Sequence, residues 1–115
     1  RLKLTSGGVF DFDAVNADRS IVANISTSSS RMSSGKPAVG KMMKIRSDIY
    51  FLLLVDAKRR LVVLTEKDMY DQCLGEARNG RVPASIEFHY AELPEHLASS
   101  LKVAKQSASD EVRPQ

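Results

Sequence analysis

Cysteine is almost missing from this chain. Cys73 stands alone among 115 residues, so no internal disulfide can form and no cysteine-rich zinc site can be built. Tryptophan is absent, and phenylalanine and tyrosine together supply 6% of the residues. Tyr50, Tyr70 and Tyr90 are too scattered for a platform on which unpaired bases stack. Long apolar runs are also lacking: the longest, Ile49 to Val55, has seven residues, against the roughly 20 that span a bilayer. The opening RLKLTSGG has no apolar stretch of the secretory kind. Together with the single free thiol, this implies an intracellular (cytoplasmic) location and no membrane partner. The only histidines, His89 and His96, have no ligand-type neighbour at helical spacing. His89 therefore reads as a polar contact on a strand and His96 as an exposed residue.

What is present describes a folded α/β protein. Hydrophobic residues make up 43% of the chain and charged residues 27%, the composition of one ordinary domain that can bury a core without staples. A single domain over residues 1–115 is expected, with residues 107–115 as a fraying polar tail. The chain starts at Arg1 rather than Met, which suggests processing or a fragment. Charge is uneven. Residues 1–60 carry net +6 and residues 61–115 net −3, for the overall +3. Between Arg31 and Arg46 lie Arg31, Lys36, Lys41, Lys44 and Arg46 with no acid. Such a stretch suits an anionic partner such as DNA, and equally a solvated helix face.

Three β-type runs open the chain: Leu2 to Thr5, Val9 to Val15, and Ser20 to Thr27. The turn signals Ser6-Gly7-Gly8 and Asn16-Ala17-Asp18-Arg19 separate them, so an antiparallel meander is expected. Ser28 to Gly35 reads as an exposed, mobile loop. A helix follows from Pro37 to about Val55, with Met42, Ile45, Ile49, Leu52 and Leu53 on one face. The rival is a hairpin, FLLLV–DAKRR–LVVLT, with the helix ending near Asp48. Leu61 to Thr65 is continuously apolar, as in a buried parallel strand. A second helix runs from Thr65-Glu66-Lys67-Asp68 to Asn79-Gly80, with Met69, Cys73 and Ala77 on its inner side. Ile86 to Tyr90 is a strand, and a last helix starts at Leu93. The expected fold is α/β, with a mixed sheet made of the meander followed by helix-strand-helix-strand-helix.

Two patterns bear on chemistry. Asp11 and Asp13 lie two apart on a strand and share a face, while Phe10 and Phe12 take the other. Paired carboxylates suit Mg²⁺ or Mn²⁺, or simply a wet sheet face. Gly35 to Lys41 meets G-x-x-x-x-G-K, but Met42 stands where a hydroxyl must hold Mg²⁺, and a meander is not the parallel strand a P-loop follows. Nucleotide hydrolysis is therefore set aside. Lys41, Lys44 and Asp48 share a helical face. They could aim cations at a phosphate, or form a surface pair between Lys44 and Asp48.

The stretch GGVFDFDAV, a short turn, SIVANISTS, a cationic helix and a buried strand resembles the PD-(D/E)xK nuclease superfamily over Leu2 to Thr65. The resemblance implies a restriction-endonuclease-like fold, here without its N-terminal helix, and a Mg²⁺- or Mn²⁺-dependent endonuclease site. It places Asp13 at the metal-binding acid and Asp11 at a second acid. Asn24-Ile25-Ser26 falls at the (D/E)-x-K tripeptide, and Lys41 or Lys44 at the supporting helix residue. The implied catalytic residues are Asp13, Lys41 and Lys44, and the implied metal ligands Asp13, Asp11 and Asn24. The implied DNA-binding residues are Arg31, Lys36, Lys41, Lys44 and Arg46. The tripeptide departs from the family pattern: an amide replaces the carboxylate and a hydroxyl the lysine. The competing expectation is accordingly a degenerate module that binds DNA or a protein, or pairs with itself, without cutting. An unrelated α/β domain stays open as a third reading.

Overall fold

Two apolar runs, residues 21–26 and 59–64, become neighbouring central strands because a long amphipathic helix connects them and covers one of their faces. The computed structural model describes residues 1–32 and 34–91. Along the chain these form β1 (Leu2–Lys3), β2 (Val9–Phe10), β3 (Ala14–Val15), β4 (Ile21–Ser26), α1 (Val39–Leu54), β5 (Arg59–Leu64), α2 (Lys67–Arg78) and β6 (Ile86–Tyr90). A four-stranded sheet has the order β3-β4-β5-β6, and β1 and β2 form a separate two-stranded ribbon. β3 is antiparallel to β4, while β4, β5 and β6 are mutually parallel. The chain is thus an α/β protein with a mixed sheet. The segment proposed as a last helix, with Leu93, His96 and the 107–115 tail, lies outside the described residues.

The expected three-stranded meander is corrected in one respect. The run Val9 to Val15 is not one strand: it breaks at residues 11–13 into β2 and β3, one pairing with β1 and the other with β4. The cause lies in the two aspartates. Asp13 turns its carboxylate onto the backbone of β4 in place of continuing the ladder, and Asp11 faces solvent beside Arg1. Phe12 between them is buried. The turn into β4 forms as its residues suggest. Asn16 Oδ1 accepts from Ile21 N at 2.9 Å, Asp18 Oδ1 from Ser20 N at 3.0 Å, and Arg19 takes a left-handed φ of 63°.

The rival hairpin does not form, and α1 runs on to Leu54. It starts two residues after the expected Pro37. Pro37 instead forms an isolated antiparallel bridge with Arg31, closing a small loop in which Met32 N donates to Lys36 O at 2.8 Å. Met42, Ile45, Ile49 and Leu52 are buried as the spacing requires, whereas Leu53 is exposed and Asp48 is buried in its stead. On α2, Met69 and Cys73 face inward with Glu76, and Ala77 is exposed. Burial pushes the Cys73 thiol up to about 11, which makes it an inert core residue.

Register decides which strand residues meet the helices. Val22, Asn24 and Ser26 lie beside Arg60, Val62 and Leu64, which continue to Ile86, Phe88 and Tyr90. Val22, Val62, Leu64 and Ile86 belong to the same buried cluster as Ile45, Leu52, Met69 and Cys73, so α1 and α2 cover this face. Arg60 fastens the end of α1 from beneath. Its Nε donates to Leu52 O at 2.8 Å and its Nη2 to Val55 O at 2.9 Å, satisfying carbonyls that a helix terminus leaves open. The β1–β2 ribbon closes the same end, with Phe10 stacked on Phe51 at 4.2 Å and Thr5 N donating to Leu54 O.

Replacing Arg60 by Met keeps the aliphatic stem and leaves both carbonyls without their charged donor. It should cost about 2 kcal/mol, read as a lower urea midpoint at unchanged slope.

Candidate functional site

Asp13 and the β4 segment Asn24–Ser26 come together as the sequence pattern suggests, but their contacts run through the backbone. Asp13 Oδ2 accepts from Ile25 N at 2.7 Å, and Asp13 N donates in return to Asn24 Oδ1 at 3.4 Å. This reciprocal pair joins the break after β2 to the middle of β4. Asn24 is 2% exposed and sits on the helix-bearing face, and its Nδ2 has no hydrogen-bond partner. The amide thus has its carbonyl toward Asp13 and its donor end turned elsewhere. Asp11 is exposed and lies 3.5 Å from Arg1.

That donor set does not fit a resident divalent ion. Mg²⁺ and Mn²⁺ need converging oxygens. Here one Asp13 oxygen is held by a peptide N–H, the Asn24 oxygen faces the Asp13 N–H, and the Asp11 carboxylate lies beside a guanidinium. Among the described residues no group of three His, Cys, Asp or Glu side chains is placed to share a metal.

The five cations from Arg31 to Arg46 separate into two groups. Lys44 Nζ binds Asp48 at 3.1 Å, with Asp48 largely buried, and Arg46 Nη2 binds Glu76 Oε1 at 2.7 Å. Arg31 donates to Gly35 O, and Lys36 and Lys41 are exposed without a partner among the described residues. Arg31, Lys36 and Lys41 thus flank the start of α1. That helix start has Ala38 as its cap, no side-chain capping bond and no acid in its first turn. The amides of Val39 and Gly40 find no acceptor among the described residues. Uncapped amides and the helix dipole make this end electropositive.

The G-x-x-x-x-G-K stretch also looks different in three dimensions. The strand before it, β4, is parallel to β5, but it ends at Ser26, well before Gly35, so the stretch does not follow a parallel strand directly. The stretch still forms no phosphate-wrapping loop. Gly35, with φ of 86°, closes the Met32–Gly35 turn, and Gly40 is already inside α1.

The first part of the serine loop is tied to α2, and Ser30 is buried where an exposed residue was expected. Ser29 Oγ, Ser30 N and Ser30 Oγ all donate to Asp68 Oδ2 in the first turn of α2. Burial works against the Asp68 charge, but these bonds outweigh it and hold the carboxyl below its usual range. Glu76 is a second feature the sequence reading missed. Its carboxylate lies between Arg46 and Arg81, at 2.7 and 3.2 Å. The hydrogen bond from Arg46, helped by Arg81, lowers its pKa against the effect of burial. A glutamate three residues after Cys73, within an otherwise apolar helical face, is the signal that could have found it. His89 contacts Glu87 at 3.1 Å, the polar strand contact expected.

No family model, no curated protein and no solved structure matches this chain. Among the described residues no helix is long and apolar enough to cross a membrane.

Two outcomes follow from the geometry. Asp13→Ala removes the acceptor for Ile25 N and should lower stability by about 1–2 kcal/mol, measured by chemical denaturation. Glu76 contributes stability that is present above its ordinary pKa of 4.5 and is lost as pH falls through its lower folded value. The melting temperature should therefore drop below about pH 4.5. Glu76→Gln should start lower at neutral pH and fall less steeply in acid.

Proposed function

We propose that this chain is a nuclease-like module that holds DNA through the start of α1 and does not cut it. The observation that carries this reading is the neutral clamp at Asp13 and Asn24. At the position where the resemblance calls for a second carboxylate, a buried neutral amide turns its oxygen to the Asp13 N–H, and the one acid beside it is spent on a backbone amide. An uncharged oxygen that faces an N–H and a single engaged carboxylate make a poor cradle for a cation. Ser26, at the lysine position, brings no charge. Lys44 is committed to Asp48, and Lys41 has no bond to either aspartate. What supports DNA as the partner is the cluster of Arg31, Lys36 and Lys41 around an uncapped helix start. Exposed cations and free backbone amides there suit phosphate oxygens.

Hydrolysis with Mg²⁺ or Mn²⁺ is the reading this proposal competes with, and one experiment separates them. Supercoiled plasmid is incubated with the purified chain in Mg²⁺, Mn²⁺ or EDTA, and retention of a short duplex is measured against salt. The proposal expects no metal-dependent nicking, together with retention that weakens steeply with salt. Replacing both Lys36 and Lys41 by Ala should make the log–log salt slope shallower by about 2. Nicking that needs metal and disappears in Asp13→Ala would establish the nuclease instead. Retention that is indifferent to salt would overturn the phosphate-directed role.

A further inference from the structure

Three charged side chains from α1, α2 and the loop before β6 meet at one point. Glu76 is 8% exposed and lies between two guanidiniums. Arg46 Nη2 donates to its Oε1 at 2.7 Å, and Arg81 Nη1 to its Oε2 at 3.2 Å. Each arginine uses one nitrogen there. Their other guanidinium N–H groups have no acceptor among the described residues. One carboxylate against two guanidiniums leaves the cluster with one positive charge, and both arginine side chains are more than half open to solvent.

This cluster lines a cavity of about 280 Å³. The rest of the lining is Met42, Ile49, Tyr50 and Leu53 of α1, with Val82 and Pro83 of the loop before β6. Mostly apolar walls with a few convergent polar groups are the make-up of a small-molecule site. The volume lies at the lower end of the range for such sites, about 300–1,000 Å³, and so suits a small guest.

The charges select the chemistry of that guest. A cation is repelled, because Glu76 is already compensated twice. A neutral apolar molecule would fill the walls and leave the guanidinium N–H groups unused. A carboxylate matches the planar fork of an arginine. With a single excess positive charge, the cluster favours a monoanion. Among the described residues, Glu76 is the only acid in the lining.

We propose that this cavity binds a small organic monocarboxylate, with its apolar body against Met42, Ile49 and Val82 and its carboxylate on the free guanidinium N–H groups of Arg46 and Arg81. Glu76 holds the two cations side by side and, by drawing on both, limits how strongly they hold an anion. The site lies beyond the DNA-directed reading and does not rest on it.

The test is a titration of the full chain with phenylacetate, followed by calorimetry and by backbone amide shifts, beside the uncharged phenylacetamide. The acid should bind saturably, with a Kd of roughly 0.1–1 mM for a guest of this size. The shifts should centre on Arg46, Glu76, Arg81 and Val82, and the amide should bind about tenfold more weakly. Two variants should move the affinity in opposite directions. Arg81→Gln removes a cation and should weaken acid binding about tenfold. Glu76→Gln raises the charge of the cluster and releases guanidinium donors, so it should tighten acid binding about threefold. Both variants lose an ion pair, so damage to the fold cannot produce that split. Absence of saturable acid binding overturns the proposal, as do equal affinities for acid and amide, shifts centred elsewhere, or a folded Glu76→Gln variant that binds the acid more weakly. The C-terminus of a peptide with an apolar last residue carries the same chemistry. A tripeptide of that kind, titrated in parallel, should bind no better than phenylacetate; binding more than about tenfold tighter would overturn the assignment to a small acid.

Discussion

Everything in this molecule is arranged around one burial: the inner stripe of α1 against the parallel pair β4 and β5. Ile45 and Leu52 of the helix and Val22, Val62 and Leu64 of the strands are all but removed from water. Each such side chain contributes about 2 kcal/mol, as much as the strongest polar contacts described above. A parallel pair needs a crossover of this kind, so the helix that supplies the core also dictates the topology. The polar devices then work at its margins. Arg60 closes its far end, Glu76 ties its outer side to α2 through Arg46, and the serine loop reaches α2 through Asp68.

The same arrangement explains why the two chemically suggestive regions lie apart. Asp13 and Asn24 are spent on joining the antiparallel edge to the parallel half of the sheet. Their bonds run to backbone amides, where the directional need is greatest. The cations divide by accident of helical phase. Lys44 and Arg46 fall where carboxylates from α1 and α2 can reach them, whereas Arg31, Lys36 and Lys41 gather at the end of the helix that lacks an acid or a cap. In the proposed function, the acids serve as structure and the helix start as the contact surface.

Periodicity made the long elements legible. The spacing of Met42, Ile45, Ile49 and Leu52 announces α1. The unbroken Leu61–Leu64 announces a parallel strand, and the alternation at Ile86–Tyr90 announces β6. What was not legible depended on partners distant in the chain. Val9–Val15 reads as one strand because nothing local shows that the Asp13 carboxylate will take Ile25 N. Ser30 reads as exposed because Asp68, 38 residues further on, is what holds it and Ser29. Glu76 and Asp48 sit on faces that hydropathy assigns to apolar residues, and only the cations beside them make their burial tolerable. At the candidate site, the pairing of Asp13 with Asn24 could be anticipated from sequence. The direction in which the amide points could not, and that direction decides what the site can hold.

The central claim is that Asp13 and Asn24 form a structural clamp with no place for a metal. The most direct measurement is a Mg²⁺ titration followed at the backbone amide resonances of Asp13, Asn24 and Ile25. The account predicts that these signals stay in place and that the Ile25 amide stays protected from exchange at every Mg²⁺ concentration. Saturable shifts centred on these residues, with loss of Ile25 protection, would show that the carboxylate leaves the backbone to take a metal, and would contradict the account.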